Sequence, residues 1–280
     1  MKLGGLEFWL ITDGTFRLDG GAMFGVIPKP MWEKVAPADA RNRILMAMNS
    51  LLIHAAGKWI LIETGAGDKW DAKRSDIYAF DAPPKLPEKL VTHGVPPEKI
   101  DIVINTHLHF DHCGWNTRLV NGEAIPVFPN ACYYVQRGEF EHALSPTDRD
   151  RASYFPENYL PMEKSKQWQF LEGDAEIVPG VEVIRAPGHN ADMMCVRLTG
   201  GGKTVFFTAD LIPTAAHVPL PWIMGYDLYP LTTLDNKKKW IPQMVSGEWL
   251  VIFGHEARTP AGYLRERNGK VELEPVMIDI

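Results

Sequence analysis

The sequence predicts an α/β layered domain built on a mixed sheet, and three observations point there. Short runs rich in Val, Ile, Phe and Trp, bounded by Gly, Pro or Asp, recur along the chain. Helical stretches are fewer and interspersed among them. The neighbouring runs 181–185 and 194–198 read as a hairpin, which brings antiparallel pairing into the sheet.

In chain order the strand signal falls on 6–12, 49–53, 59–63, 100–105, 131–135, 181–185, 194–198, 204–208 and 249–253. These runs carry the β-branched and aromatic side chains that a pleated, half-buried surface accepts. A helix is expected over 87–93, stopped by Gly94, and another over 136–143. Thr232 or Thr233 is placed to cap a third over 235–245, which Pro242 ends or kinks because it has no N–H to give the preceding turn. Two longer excursions, 145–169 and 212–230, contain the Trp, Tyr and Phe that disordered segments lack, so they read as lids or pocket walls. No internal repeat is evident, and one domain over 1–280 is expected.

With 45% hydrophobic and 23% charged residues, the chain has the composition of a folded globular protein. A net charge of −6 argues against broad electrostatic binding of nucleic acid or an anionic membrane, leaving a small molecule as the expected partner. The start, MKLGGLEFWLITDGTF, lacks the tripartite pattern of a secretory signal, and no apolar run suits a spanning helix. Cys113, Cys132 and Cys195 form neither a disulfide framework nor a CxxC pair. A cytoplasmic protein with reduced thiols is expected, and the hydrophobic amino-terminal loop suggests a homodimer.

The chemistry concentrates at 105–115, NTHLHFDHCGW, which places His107, His109, Asp111 and His112 just past an apolar run. Three other runs end alike: 181–185 leads through Ala-Pro-Gly to His189, 204–208 through Ala209 to Asp210, and 249–253 through Gly254 to His255. Ligands of open α/β sheets gather outside the carboxyl ends of strands, so these four endpoints can converge. Side chains of this kind, packed together without a counter-charge, are costly to bury, and a divalent cation offsets that cost. Five histidines with two carboxylates suit two metals sharing a bridge, with positions left for water and substrate.

Thr106-His-x-His-x-Asp-His112, Pro187-Gly-His189, Ala209-Asp210 and Gly254-His255, in that order, resemble the metallo-β-lactamase-fold hydrolases. The resemblance runs from about Gly57 to His255. It implies a four-layer αβ/βα sandwich with two mixed β-sheets and the metals at one sheet edge. It implies a first metal on His107, His109 and His189, a second on Asp111, His112 and His255, and Asp210 bridging both. Leu61-Ile-Glu-Thr-Gly65 matches the family's earlier strand, with Glu63 where Asp is usual. Zinc is the default for such a site, and iron, manganese or cobalt fit the same donors. The two ions would carry a bridging hydroxide that attacks the substrate, with Asp111 as the catalytic proton shuttle to the leaving group.

Among branches of the family, Asp210 disfavours the true β-lactamases and His109 the flavodiiron enzymes, while the short tail after His255 disfavours the glyoxalase-II type. The N-acyl-homoserine lactonase and methyl-parathion-hydrolase-like group is the most similar, which implies opening of a lactone or cleavage of a related ester. Phosphotriester or phosphodiester hydrolysis is the alternative, and a non-catalytic metal sensor a further one. Those lactonases commonly carry Tyr three residues past the bridging Asp, where this chain has Pro213. Met23 and Phe24 in the amino-terminal loop, and Trp222 and Tyr226 after Asp210, are the expected substrate contacts. His217 is expected at the surface, with substrate binding as its alternative. Cys113 reads as a small buried neighbour of the metal loop, and Lys237–Lys239 as a solvated helix face.

Overall fold

The computed structural model describes residues 1–278. Strands β1 (Lys2–Leu3), β2 (Leu6–Asp19), β3 (Arg43–Ala55), β4 (Lys58–Ile62) and β5 (Ile102–Ile104) come first. A separate hairpin, β6 (Thr117–Val120) and β7 (Glu123–Pro126), is followed by β8 (Cys132–Gln136) and β9 (Trp168–Leu171). The second half holds β10 (Ala175–Val178), β11 (Val181–Arg185), β12 (Met194–Gly200), β13 (Lys203–Phe207), β14 (Leu250–Ile252), β15 (Ala261–Arg267) and β16 (Lys270–Pro275). Two seven-stranded sheets result, ordered β1-β2-β3-β4-β5-β8-β9 and β10 through β16 in sequence.

Alternation decides the layers. In β4, Ile60 and Ile62 join the core shared with the second sheet, whereas Leu61 faces outward to a cluster with Leu86, Leu90 and Phe140. Val103 of β5 does the same between Ile102 and Ile104. Helices Leu86–Thr92 and Arg137–Leu144 thus cover the outer face of the first sheet. On the second sheet, Trp240 of helix Pro230–Ser246 lies 5.5 Å from the ring of Phe206. The order helix, sheet, sheet, helix is the expected four-layer sandwich.

Strand direction places the chemistry. β4, β5 and β8 are mutually parallel, so their carboxyl ends share one edge. β11 is antiparallel to β12 and β12 to β13, two reversals that restore direction, and β13 pairs parallel with β14. His189, Asp210 and His255 therefore leave the second sheet on one side. The two sheets are tied together at that edge, where Met194 donates to the Thr106 carbonyl (2.9 Å) and Ala47 to that of His255 (3.0 Å). Asn49 Nδ2 adds bonds to the Phe253 and Glu256 carbonyls, each 2.9 Å.

Three expectations are corrected. β2 and β3 are far longer than 6–12 and 49–53, because the pairing continues past a bulge between Thr12 and Thr15, where Gly14 takes φ +108°. The helix expected over 235–245 starts at Pro230, with Thr233 inside it, and continues past Pro242 to Ser246. Strands β9, β10, β15 and β16 and the β6–β7 hairpin carried no sequence signal. No helix among the described residues is long and apolar enough to cross a membrane.

Candidate metal centre

The loop after β5 is stitched to the end of β4. Thr64 N–H and Asn105 Nδ2 both donate to the His112 carbonyl (2.8 and 3.1 Å), Asn116 Nδ2 donates to Asn105 Oδ1 (2.8 Å), and Thr64 Oγ1 to Asn116 Oδ1 (2.9 Å). Gly114 lets the loop close, since a Cβ there would lie 2.0 Å from the Ala66 carbonyl carbon. The single helical turn Phe110–Cys113 swings Asp111 and His112 to the same side as His107 and His109. Backbone strain sits beside this loop: Glu63 and Ala209 hold φ of +62° and +45°, the left-handed region that side chains disfavour.

The seven residues meet at one point. His107, His109 and His189 form one compact group, His107, His112 and Asp210 another, and Asp111, His112 and His255 a third. Asp210 stands between them. Its Oδ2 lies 3.3 Å from His189 Nε2 and 3.9 Å from His107 Nε2, while its Oδ1 lies 3.1 Å from His255 Nε2 and 3.4 Å from His112 Nε2. Asp111 reaches the second side only, at 3.6 Å from His255 and 3.8 Å from His112.

Outer partners fix which nitrogen of each ring faces inward. His255 Nδ1 meets the Ala47 carbonyl at 2.8 Å, His112 Nδ1 the Glu63 carboxylate at 3.3 Å, and His189 Nδ1 the Asp227 carboxylate at 3.0 Å. Those acceptors receive the Nδ1 proton of each ring and turn Nε2 inward as the atom that a metal would meet once its own proton is displaced. The Nε2 atoms of His112 and His255 face each other at 3.1 Å, and His189 Nε2 faces His109 Nδ1 at 3.0 Å. His107 Nε2 is buried with no hydrogen-bond partner. Ligands of a tetrahedral zinc ion stand roughly 3.3 Å apart, given bonds of about 2.0–2.1 Å. The donor set therefore fits metal ions.

The electrostatics divide the histidines. Burial lowers all of them, but Asp210 with Asp111, Glu63 and Asp227 outweighs it at His112, His189 and His255 and raises those three, so without a cation they hold protons where a bound metal would supply the positive charge. Burial, then the neighbouring imidazoles, push His107 and His109 well below the ordinary histidine range, so both stay neutral and able to ligate. Burial alone would raise Asp210, but His112, His255 and His189 outweigh it and hold its carboxyl well below the usual carboxylate range. Glu63, the departure from the family's Asp, still reaches inward: Oε1 accepts the Thr106 N–H at 2.9 Å while Oε2 faces His112. Asp227 carried no motif and escaped the sequence; its second oxygen accepts the Thr233 hydroxyl at 2.6 Å. Glu139, also unsignalled, accepts the Leu108 N–H at 2.8 Å behind the metal loop, and burial pushes its carboxyl up to about 8.

The family model of the metallo-beta-lactamase superfamily matches residues 45–255, from near the start of β3 to the last of the seven residues. The chain belongs to that superfamily. An N-acyl homoserine lactonase of Bacillus cereus is 36% identical over 172 residues, 60% of this chain and 61% of the relative. Another from Bacillus thuringiensis is 30% identical over 166 residues, 58% of each. This chain thus spans about three-fifths of the length of the curated relatives it matches. A probable metal-dependent hydrolase from Staphylococcus aureus superposes with a TM-score of 0.90 at 28% identity, covering 99% of this chain and 100% of that one.

In this member of the superfamily a cavity of about 360 Å³ opens onto five of the seven residues. Met23 and Tyr226 line it, as do Asp111, Asp210 and three of the histidines; among the other lining residues are Tyr78, Met46, Met224 and Arg149, which the sequence did not single out. Burial and then Asp111 push the Tyr78 phenol up to about 12. Phe24 and Trp222 are corrected: neither faces the cavity. The turn Gly20–Phe24, capped by Asp19, points Met23 to the cavity and Phe24 backward, where it stacks on Trp32 (5.3 Å) and His217 (4.7 Å) and meets Trp222 edge-on (5.6 Å).

His217 is neither at the surface nor on the cavity. It is buried, with Nδ1 at 2.7 Å from the Thr214 hydroxyl and Nε2 at 2.8 Å from the Met23 carbonyl, and burial pushes it down to about 4. Lys237 is also corrected. Fully buried, it donates to the carbonyls of Pro219, Leu220 and Trp222 (2.7–3.2 Å), and burial lowers it to about 7. Pro213 gives its carbonyl to the His255 N–H at 2.9 Å. The Cys113 thiol is buried, donates to the Leu108 and His109 carbonyls, and is pushed well above its ordinary value by burial.

Proposed function

We propose that this member of the metallo-beta-lactamase superfamily is a metal-dependent hydrolase that opens a lactone or cleaves a related carboxylic ester of a small molecule. The observation that carries the reading is Asp210, whose two oxygens face two separate groups of histidines. His107, His109 and His189 would hold one divalent ion and Asp111, His112 and His255 the other, with Asp210 facing both groups. When bound, the ions polarise the substrate carbonyl and make a water acidic enough to attack near neutral pH.

The chain's own residues do the remaining work. Asp111, on the cavity wall beside His112 and His255, takes the proton of the attacking water and delivers it to the departing alcohol. Glu63, Asp227 and the Ala47 carbonyl hold three rings in ligating orientation. Met23, Met46, Phe110 and Met224 exclude water and pack the apolar body of the substrate, while Tyr226 stands at the wall with its phenol. The nitrogen-rich donor set suits zinc first; iron, manganese and cobalt fit the same donors. We read residues 1–280 as one domain acting in the cytoplasm, where the free thiols stay reduced, and the exposed Val26, Met31 and Val35 as a homodimer contact.

The lactonase relatives support the carbonyl substrate over a phosphate ester. Metal-loaded protein tested by proton release against a panel of lactones and aryl esters should turn over at least one class. Silence on every member by folded, metal-loaded protein would end this reading, and faster turnover of a phosphotriester would replace it.

A further inference from the structure

The cavity wall carries one unexplained charge. Arg149 is the only lysine or arginine among the described residues that line it. Its Nη2 donates to the Gly225 carbonyl at 2.6 Å, so the guanidinium is held across the mouth between the 145–169 and 212–230 segments. Both neighbouring carboxylates are taken: Asp148 pairs with Arg151 at 2.8 Å, and Asp150 with His142 at 2.6 Å and the Thr147 hydroxyl at 2.6 Å. No described carboxylate lies within 4.0 Å of Arg149. Apart from the metal-facing residues, the rest of the lining is mostly apolar, with Ala22, Met23, Met46, Phe110 and Met224 alongside the polar Tyr78, Asp150, Ser153 and Tyr226.

We propose that the substrate carries a carboxylate at the end remote from the scissile carbonyl, joined by an apolar spacer, and that Arg149 is the specificity residue that receives it. The proposal rests on the hydrolase reading for the chemistry at the other end. A guanidinium keeps several N–H donors after giving one to Gly225, and its planar fork matches a carboxylate. The hydrogen bond to the Gly225 carbonyl fixes its position, so little freedom is lost when an anion arrives. Because the residue is exposed, water and salt screen the pairing, and the effect sits near the low end for charged hydrogen bonds, about tenfold in affinity.

The test compares heptanoate with pimelate, two seven-carbon acids that offer the same head carboxylate and differ only at the far end. Calorimetry on the metal-loaded protein should show pimelate binding about tenfold tighter. Arg149→Met should bring the ratio near one, and Arg149→Glu should shift preference from pimelate to 7-aminoheptanoate. Equal binding of the two acids by the wild type overturns the proposal. So does an Arg149→Met protein that weakens both by the same factor, because Arg149 would then serve only as a clasp between two loops and not as the carboxylate's receptor. Lactone turnover reports the other half separately: an active lactonase without pimelate preference sinks the specificity alone, and a pimelate-selective protein inert on every ester sinks the hydrolysis alone.

Discussion

The metal-facing ring hangs from strand ends, whereas the cavity wall above it hangs from loops that single polar side chains clasp to backbone carbonyls. His107, His189, Asp210 and His255 follow β5, β11, β13 and β14 within a few residues, and the sheets' own hydrogen bonds set their separation. Carboxylates and a carbonyl then orient three of the rings. Met23, by contrast, is held through His217, the 219–222 turn through Lys237, and Gly225 through Arg149. Chemistry is thus placed by the rigid part of the fold, and the substrate meets parts that can change one clasp at a time.

Breaking the ring should cost most. Asp210→Ala removes the group shared by both metal sides, and kcat/KM should fall at least about a thousandfold, the equivalent of some 4 kcal/mol of transition-state stabilisation. Retention of a tenth of wild-type activity would remove Asp210 from the centre. Asp227→Ala leaves every ligand in place but frees His189, and competition with a chelator should show metal affinity reduced about 10–100-fold. An unchanged affinity would make the 3.0 Å contact incidental.

The clasps should cost less and show themselves differently. His217 falls to about 4 from an ordinary 6.5, so the stability its neutral ring supplies is full above pH 6.5 and is lost as pH falls toward 4. Thermal unfolding of the wild type and His217→Gln should therefore converge by about 2 kcal/mol between pH 7 and pH 5. A gap that stays constant would mean His217 titrates normally. Met23→Ala should change least: KM for an apolar substrate rises about threefold to tenfold with kcat nearly unchanged, since binding shared by ground and transition states is lost. A fall in kcat with constant KM would place Met23 among the reacting groups.

The same contrast explains what was legible. The seven metal-facing residues stand at strand ends within local motifs, and β-branched runs announce the strands, so a single sequence shows both. Glu63 was visible as a departure, but not that its longer side chain would still reach His112. Asp227, Glu139, Tyr78 and Arg149 belong to no motif, even where, as for Glu139, the helix that carries them was legible, and only tertiary packing gives them partners. Phe24 and Trp222 look like pocket aromatics because size and position in a loop suggest exposure to ligand; one turn of backbone sends both behind the wall. Lys237 reads as a surface charge because nothing local announces the three carbonyls that receive it.

The central claim is that seven side chains from four strand ends hold two metal ions. Elemental analysis of the purified chain, saturated with zinc and freed of loose ions, measures this directly. The account predicts about two equivalents per chain for the wild type and a loss of bound metal in Asp210→Ala. A wild-type chain that retains no metal, or a content that Asp210→Ala leaves unchanged, would contradict it.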